Sequence, residues 1–165
     1  MEMGTRIIGD SIRLWASPSF GYMVKCRDCH VDGRAMSEHR YLDSEKLARV
    51  NELVLREIKV RKADRPRVLS RTKLENISTR VRETEGDLYD KATALIIGLI
   101  QGHPFASGNR RTAFVATKLF LELNGEKMIV EHDPKILQSI REGFYTALEV
   151  KSWLKGRAVK RFTRG

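Results

Sequence analysis

After residue 40, apolar residues recur every three or four positions, which is the spacing of one buried face of a helix. The first such stretch places four of them at i, i+3, i+7 and i+11: Leu47, Val50, Val54 and Ile58. Asp43 or Ser44 stands just before this stretch and can accept a hydrogen bond from its first backbone N–H groups. A helix is therefore predicted to begin directly after them.

The next two helices are predicted from the same spacing and from residues that favour helix ends. Thr72 and Glu75 match a capping box at the start of a stretch whose apolar positions are Leu74, Ile77 and Val81. Asp87 is the predicted N-cap of a third stretch, which is so apolar that it should form the buried central helix. This helix should end at His103, because Pro104 denies the preceding residue a helical conformation.

Two more helices complete the pattern. The first carries Ala113, Ala116, Thr117, Phe120 and Leu123, and Asn124 with Gly125 predicts a left-handed end. Asp133 followed by Pro134 is typical of a helix start, and it opens a last helix with Leu137, Ile140, Phe144 and Leu148 on one face. The predicted fold class is all-α, a helical bundle.

Residues 1–40 follow a different pattern. Short apolar runs interrupted by Gly9, Pro18 and Gly21 predict two or three short strands or an irregular arm. A chain of 165 residues suits one domain with a proper core. The predicted organisation is an N-terminal arm at 1–40, a helical domain at 41–150 and a basic tail at 151–165.

The composition is that of a globular protein, with 41% hydrophobic and 32% charged residues. No apolar run approaches the length needed to cross a bilayer, and the first residues do not form an export signal. We therefore expect a cytoplasmic protein that does not act at a membrane.

The formal net charge of +10 favours anionic partners. Eight basic residues lie between Arg56 and Lys73 against Glu57 and Asp64, and six follow Val150 with no acid. A solvated loop and a frayed basic tail are the favoured interpretation. Contact with nucleic acid and docking to an acidic protein remain alternatives.

The segment from His103 to Arg111 joins two predicted helices and combines residue types suited to phosphate chemistry. A helix that begins after a glycine turn presents unpaired backbone N–H groups and a positive dipole end, which attract anions. Gly108 permits close approach of a ligand, Asn109 can donate from its amide, and the two arginines after it add positive charge. His103 can accept a proton from a hydroxyl nucleophile, and Phe105 is predicted to turn inward and anchor the loop.

This segment resembles the signature of the Fic/Doc (death-on-curing) family, His-x-Phe-x-acid-Gly/Ala-Asn-Gly/Lys-Arg. The matching positions are His103, Phe105, Gly108, Asn109 and Arg111. Similarity extends over about 41–148 and includes Asp87-Leu88-Tyr89 and Leu121-Glu122-Leu123-Asn124-Gly125. The resemblance implies the family's helical fold, ATP or another nucleoside triphosphate as substrate, and His103 as the catalytic base. It also implies that Asn109 and the loop amides hold phosphate and that Arg111 contacts the polyphosphate.

Two positions indicate the kind of transfer. Family members that attach AMP have Gly after the Asn and a second Arg three residues beyond the first, where this chain has Arg110 and Phe114. Arg110 narrows the loop where an α-phosphate would lie. This is similar to Doc proteins, whose Lys at that place accompanies an inverted nucleotide and transfer of the terminal phosphate. The resemblance therefore favours a protein kinase over a nucleotidyltransferase that performs AMPylation.

The acidic position of the signature, which helps to hold Mg²⁺ in the family, is Ser107 here. Mg²⁺ prefers a carboxylate together with phosphate oxygens, although a hydroxyl can hold a metal-bound water. Two hypotheses stay open: a transferase that uses Mg²⁺ near Ser107, and a non-catalytic relative that binds phosphate or nucleic acid.

The resemblance also bears on partners. The family's self-inhibitory Ser/Thr-x-x-x-Glu-Gly/Asn motif is interpreted as absent, because its nearest match, Thr79 to Glu83, is followed by Thr84. Family similarity then implies a toxin held in check by a separate antitoxin chain. It further implies a protein substrate in translation, with elongation factor Tu as the target that a Doc-like protein would modify.

A cysteine pair lies in the N-terminal arm, as Cys26-Arg27-Asp28-Cys29-His30. The spacing matches covalent haem attachment, which requires export and is therefore disfavoured. The pair can also supply zinc ligands together with His30 or His39. Thiols without a metal are the favoured interpretation, and a disulfide is not expected in a reducing compartment.

Overall fold

The computed structural model of the protein describes residues 39–57 and 65–160. This part of the chain forms α1 Ser44–Glu57, α2 Arg71–Glu83, α3 Leu88–Gly102, α4 Asn109–Leu123, α5 Pro134–Arg141 and α6 Ala147–Leu154. Outside these helices, strand-type pairing in the described residues is limited to one antiparallel bridge between Val68 and Phe105. The predicted all-α class is confirmed, while the predicted strands of the N-terminal arm lie outside the described residues.

Helix α3 is the centre of the bundle, as its apolar sequence predicts. It packs against α2, α4, α5 and α6, while α1 packs against α2 and α4. The core of α3 is at most 1% exposed at Leu95, Ile96, Leu99 and Ile100. Helix α4 contributes the facing side chains, including the fully buried Phe120. The shared burial of these apolar faces stabilises the bundle and fixes the loop between α3 and α4. Within the described ranges, no helix is both long and apolar enough to cross a membrane.

Most predicted helix starts are confirmed by their capping hydrogen bonds. The backbone N–H of Lys46 donates to Asp43 Oδ1 over 2.8 Å, and Asp87 forms a reciprocal capping box with Asp90. Asp133 caps α5 by accepting from two backbone N–H groups, with Pro134 at the first helical position. Short side chains with an acceptor oxygen satisfy N–H groups that the helix itself leaves unpaired.

The predicted capping box of Thr72 and Glu75 is wrong. The N-cap of α2 is Ser70, whose Oγ accepts from the backbone N–H of Lys73 over 3.2 Å. The backbone N–H of Ser70 and that of its predecessor both bond to the carbonyl of Pro104, which holds this part of the chain extended until Arg71. Helix α2 therefore begins at Arg71, whereas a helix capped by Thr72 would begin at Lys73.

The single last helix predicted after Asp133 is also wrong, because it is two short helices. Helix α5 ends at Arg141, Gly143 adopts a left-handed conformation with φ +73°, and Thr146 caps α6 in a capping box with Glu149. Phe144 lies in the link, and Leu148 is 74% exposed. The apolar spacing continues across a break that the Gly and Thr produce.

The first residues of the predicted basic tail are helical. Helix α6 runs past residue 150, and Trp153 is buried. Lys151 Nζ lies 2.7 Å from Asp90 Oδ2, and Lys155 Nζ lies 3.0 Å from Asp87 Oδ2. These lysines are paired with carboxylates at the start of α3, so a frayed tail from residue 151 is the wrong description of them.

Candidate functional site

The loop between α3 and α4 begins with a residue in an unusual conformation. Helix α3 ends at Gly102, and His103 follows in the left-handed region with φ 46° and ψ 54°. The next residue, Pro104, disfavours the right-handed helical conformation in its predecessor, so α3 does not continue through His103. The left-handed conformation is uncommon for a residue with a side chain. The half-buried His103 therefore lies where α3 ends and the loop begins.

A neighbouring extended segment, residues 67–69, holds the loop from one side. The backbone N–H of Leu69 donates to the carbonyl of Pro104 over 2.8 Å, and that of Ala106 donates to the carbonyl of Arg67 over 3.0 Å. Between these two bonds the Phe105 side chain enters the core and is 1% exposed. The loop is thus fastened by backbone pairing on its surface and by one aromatic ring beneath it.

The side chain of Asn109 closes the loop on itself. Its Oδ1 accepts from the backbone N–H of Phe105 over 3.0 Å, and its Nδ2 donates to the carbonyl of Phe105 over 2.8 Å. One N–H of the amide remains for a ligand. The sequence assigned phosphate binding to Asn109, and the geometry adds a second task, which is to fix the shape of the loop.

Asn51 on α1 is a positioning residue that sequence reasoning missed. Its Nδ2 donates to the carbonyl of Ser107 over 3.0 Å and to Thr112 Oγ1 over 2.9 Å, and its side chain is 1% exposed. A signal was present, because Asn51 lies beside Val50 on the apolar face of α1, where a polar residue needs a buried partner. Asn51 ties the loop and the start of α4 to a helix distant in sequence.

Gly108 is the N-cap of α4 and has φ +76°. A Cβ atom at this position would lie 2.8 Å from Leu55 Cδ2 and 3.3 Å from Asn51 Nδ2. Both the backbone conformation and the space beneath it therefore require glycine. Because glycine has no side chain with which to cap the helix, the first-turn N–H groups of α4 receive no cap from this residue.

Replacing Gly108 with Ala should lower the free energy of unfolding by about 2 to 4 kcal/mol, which combines left-handed strain with overpacking against Leu55. Gly125→Ala is the matched control, because Gly125 has φ +82° but no atom lies within 4 Å of the place that a Cβ would take. It should lose only about 1 kcal/mol. Chemical denaturation measures both values, and equal losses would contradict the claim that space beneath Gly108 matters.

The loop and the start of α5 enclose a cleft of about 470 Å³, here called the arginine cleft. Its lining residues are His103, Ala106, Ser107, Gly108, Asn109, Arg110, Arg111, His132, Pro134, Leu137 and Arg141. All predicted site residues of the loop except the anchor Phe105 are among them. The wall supplied by α5 and His132 was not predicted, since nothing in the local sequence links it to the loop.

The charge of the arginine cleft is strongly one-sided. Among the described residues, three arginines and two histidines line it, and no Asp or Glu does. Arg110 Nη1 donates to Gln138 Oε1 over 2.7 Å, which holds this guanidinium against α5. The side chain of Arg141 makes no hydrogen bond or ion pair with any residue of 39–57 or 65–160. The cleft is therefore suited to a polyanion.

Both imidazoles of the cleft are biased towards their neutral form. Partial burial, followed by the positive charges of Arg141, Lys73 and Arg110, lowers the pKa of His103 below its ordinary value of 6.5. Desolvation of the His132 ring, with the charge of Arg111 adding to it, lowers the pKa of His132 as well. A neutral imidazole has a free lone pair, so His103 can act as a proton acceptor at neutral pH.

The donor set of the cleft does not fit a protein-held Mg²⁺. Mg²⁺ usually takes one or two carboxylates from a protein, and the described residues that line the cleft include none. The Oδ1 of Asn109 already accepts a backbone hydrogen bond, which leaves the hydroxyl of Ser107 as the side-chain oxygen of the loop. Among the residues that the structure describes, no three His, Cys, Asp or Glu side chains group as metal ligands, His39 included. Cys26, Cys29 and His30 lie outside those residues.

Comparison with known proteins identifies related chains. A model of the Fic/DOC family matches residues 41–121. The protein named Toxin Doc from Mycolicibacterium smegmatis is 41% identical over 46 residues, which is 28% of this chain and 35% of that protein. The aligned part thus spans about a third of the length of this curated relative.

Proposed function

This chain belongs to the Fic/DOC family, and on that premise we propose that it is a Doc-like transferase. It moves a phosphoryl group from a nucleoside triphosphate to a hydroxyl group of a protein. The observation that carries the proposal is the arginine cleft, where an imidazole biased to its neutral form lies beside three guanidiniums and an uncapped helix start.

The polyphosphate is bound by fixed positive charge. Backbone N–H groups in the first turn of α4 point along the helix axis towards the loop, and Arg110 and Arg111 extend from the same turn. Guanidinium groups match phosphate oxygens in shape and charge and can bind them with two hydrogen bonds. Charge that develops on the transferred group in the transition state is stabilised by the same donors without rearrangement.

His103 acts as the general base. The imidazole takes the proton of the attacking hydroxyl while its oxygen forms a bond to the terminal phosphorus. The bond between that phosphorus and the bridging oxygen breaks, and the nucleoside diphosphate leaves with the electron pair. Holding the base and the phosphate in one cleft supplies the orientation that such a displacement needs.

Transfer of the terminal phosphate is favoured over transfer of AMP. Arg110 extends from the loop to Gln138 on α5, so that a large cation spans one side of the cleft. Phe114 stands where AMP-transferring relatives have their second Arg. Its side chain is 8% exposed, and its ring centroid lies 5.2 Å from that of the His132 ring. These two features support the Doc-like reaction.

The test is to incubate the purified protein with lysate and ATP labelled at the γ-phosphate, with α-labelled ATP as the matched control. We expect γ-label on protein and no α-label above background, because a kinase leaves the α-phosphate in the released diphosphate. Protein labelling from α-labelled ATP would favour AMP transfer instead. Absence of both labels, with polynucleotide binding that weakens steeply with salt, would favour a non-catalytic nucleic-acid-binding protein.

The partners follow from the same proposal. A relative named Toxin Doc supports a toxin. We further propose, from the family resemblance alone, that its protein substrate belongs to translation, such as elongation factor Tu, and that it works in the cytoplasm. A separate antitoxin chain would provide inhibition. If a small reading frame adjoins the gene, its co-expression tests this part, because a true antitoxin should restore growth to cells that produce the protein.

A further inference from the structure

The described lining of the arginine cleft contains no carboxylate, which has a consequence for how a nucleotide binds. A divalent cation placed between the polyphosphate and the loop would face Arg110, Arg111 and Arg141, and none of the described residues that line the cleft carries the opposite charge. Like charges at close range repel, so these guanidiniums oppose a cation at that place. Two acids flank α5 without lining the cleft: Glu142 at its end accepts from Gln138 Nε2 over 2.6 Å, and Asp133 at its start accepts from two backbone N–H groups of the first turn.

Arg141 is the third cation of the cleft, and its position is independent of the loop motif. It lies in the last turn of α5, on the wall opposite α4, and its side chain has no partner in the described chain. Arg141 and His103 line the same cleft. A guanidinium without a partner in the described chain, in a cleft whose described lining holds no acid, is available for an anionic ligand.

Resting on the proposed nucleotide binding, we propose that the arginine cleft binds its polyphosphate as the metal-free anion and that Arg141 is a phosphate-binding residue. Arg110 and Arg111 approach from the start of α4, and Arg141 approaches from α5. Together they supply three fixed positive charges, which replace the neutralisation that a bound divalent cation would give. Arg141 thereby occupies the role of a second phosphate-binding arginine that Phe114 cannot fill.

Calorimetric titration with ATP tests the metal dependence directly. In excess EDTA, ATP should bind at least as tightly as in excess Mg²⁺, because metal-free ATP carries more negative charge to three guanidiniums. Inorganic tripolyphosphate should compete with ATP in EDTA, since recognition is directed at phosphate. Binding that is tenfold weaker in EDTA than in Mg²⁺ would overturn the proposal.

Substitutions test the role of Arg141. We expect Arg141→Ala to weaken ATP binding in EDTA by about tenfold or more, the usual effect of losing a charge-assisted hydrogen bond. The ATP affinity of Arg141→Lys should lie between those of the parent and Arg141→Ala, because lysine keeps the charge and loses the planar donor pair. Arg49→Ala is the matched control, since Arg49 is exposed on α1 outside the cleft. An unchanged affinity in Arg141→Ala would refute the assignment.

A reverse substitution checks the same idea with a gain of function. Ser107→Asp adds a carboxylate at the loop and should make ATP binding dependent on Mg²⁺, with weaker binding in EDTA than in the parent. If ATP binding by Ser107→Asp does not depend on Mg²⁺, the lack of a carboxylate at this position is not the reason for metal-free binding. Circular dichroism confirms that each variant is folded.

The outcomes separate this inference from the proposed function. ATP binding that requires Mg²⁺, accompanied by protein labelling, overturns the metal-free cleft and leaves the transferase standing. Metal-free binding without protein labelling overturns the transferase and leaves the phosphate site standing. Failure of ATP to bind under either condition overturns both.

Discussion

Replacing His103 with Ala is expected to reduce protein labelling from γ-labelled ATP by about 100- to 10,000-fold, the usual contribution of a general base. The loop should survive this change, because its shape depends on Phe105, Asn109 and backbone bonds rather than on the imidazole. ATP affinity should therefore stay within about threefold of the parent value, since only the proton acceptor is lost. A variant that keeps its labelling rate would remove His103 from the mechanism.

The pH dependence gives a second measurement on the same residue. Partial burial and three nearby cations lower the pKa of His103, so the imidazole becomes neutral at a lower pH than an ordinary histidine. Because the base works in its neutral form, kcat/KM should rise with pH, inflect below 6.5 and be flat by about pH 7. This inflection should be absent from the residual activity of His103→Ala. An inflection above 6.5 in the parent would contradict the assignment.

Replacing Phe105 with Ala should have the largest effect on stability, a loss of about 3 to 5 kcal/mol in the free energy of unfolding. The ring is 1% exposed and lies beneath the loop, so its removal leaves a cavity between the loop and the core. A domain of this size has about 5 to 15 kcal/mol in total, so the variant should lose at least about a fifth of its stability.

Denaturation in guanidinium chloride measures this loss, and Leu148→Ala serves as the control. Leu148 is a large apolar side chain of the same bundle but is 74% exposed, so its truncation should change stability by less than about 0.5 kcal/mol. A loss below about 1 kcal/mol in Phe105→Ala would mean that the loop does not depend on its aromatic anchor.

The helices could be predicted because their signals are local. Asp43, Asp87 and Asp133 cap helices through atoms only two or three residues away, and apolar spacing marks the buried faces in between. The last predicted helix is wrong because apolar spacing continues through a turn at Gly143. Spacing alone does not register a break that preserves the period.

The site was predicted on one side and missed on the other. His103 to Arg111 form one continuous segment, so their combined chemistry could be predicted from a short stretch of sequence. Arg141 lies on a different helix, and it shares a cleft with His103 because α5 packs against α3. Long-range packing of this kind leaves no trace in a short window of sequence. Asn51 did leave a signal in the sequence, although it was missed, because a buried amide on an apolar face needs a partner.

The attachment of the loop to α1 has a consequence for the gene as well as for the fold. A shortened product that begins at α2 would keep every residue of the signature, yet it would lack the amide that holds the Ser107 carbonyl and the Thr112 hydroxyl. Internal initiation or proteolytic removal of the first described helix would therefore yield a fragment that keeps the whole signature but lacks this attachment of its loop.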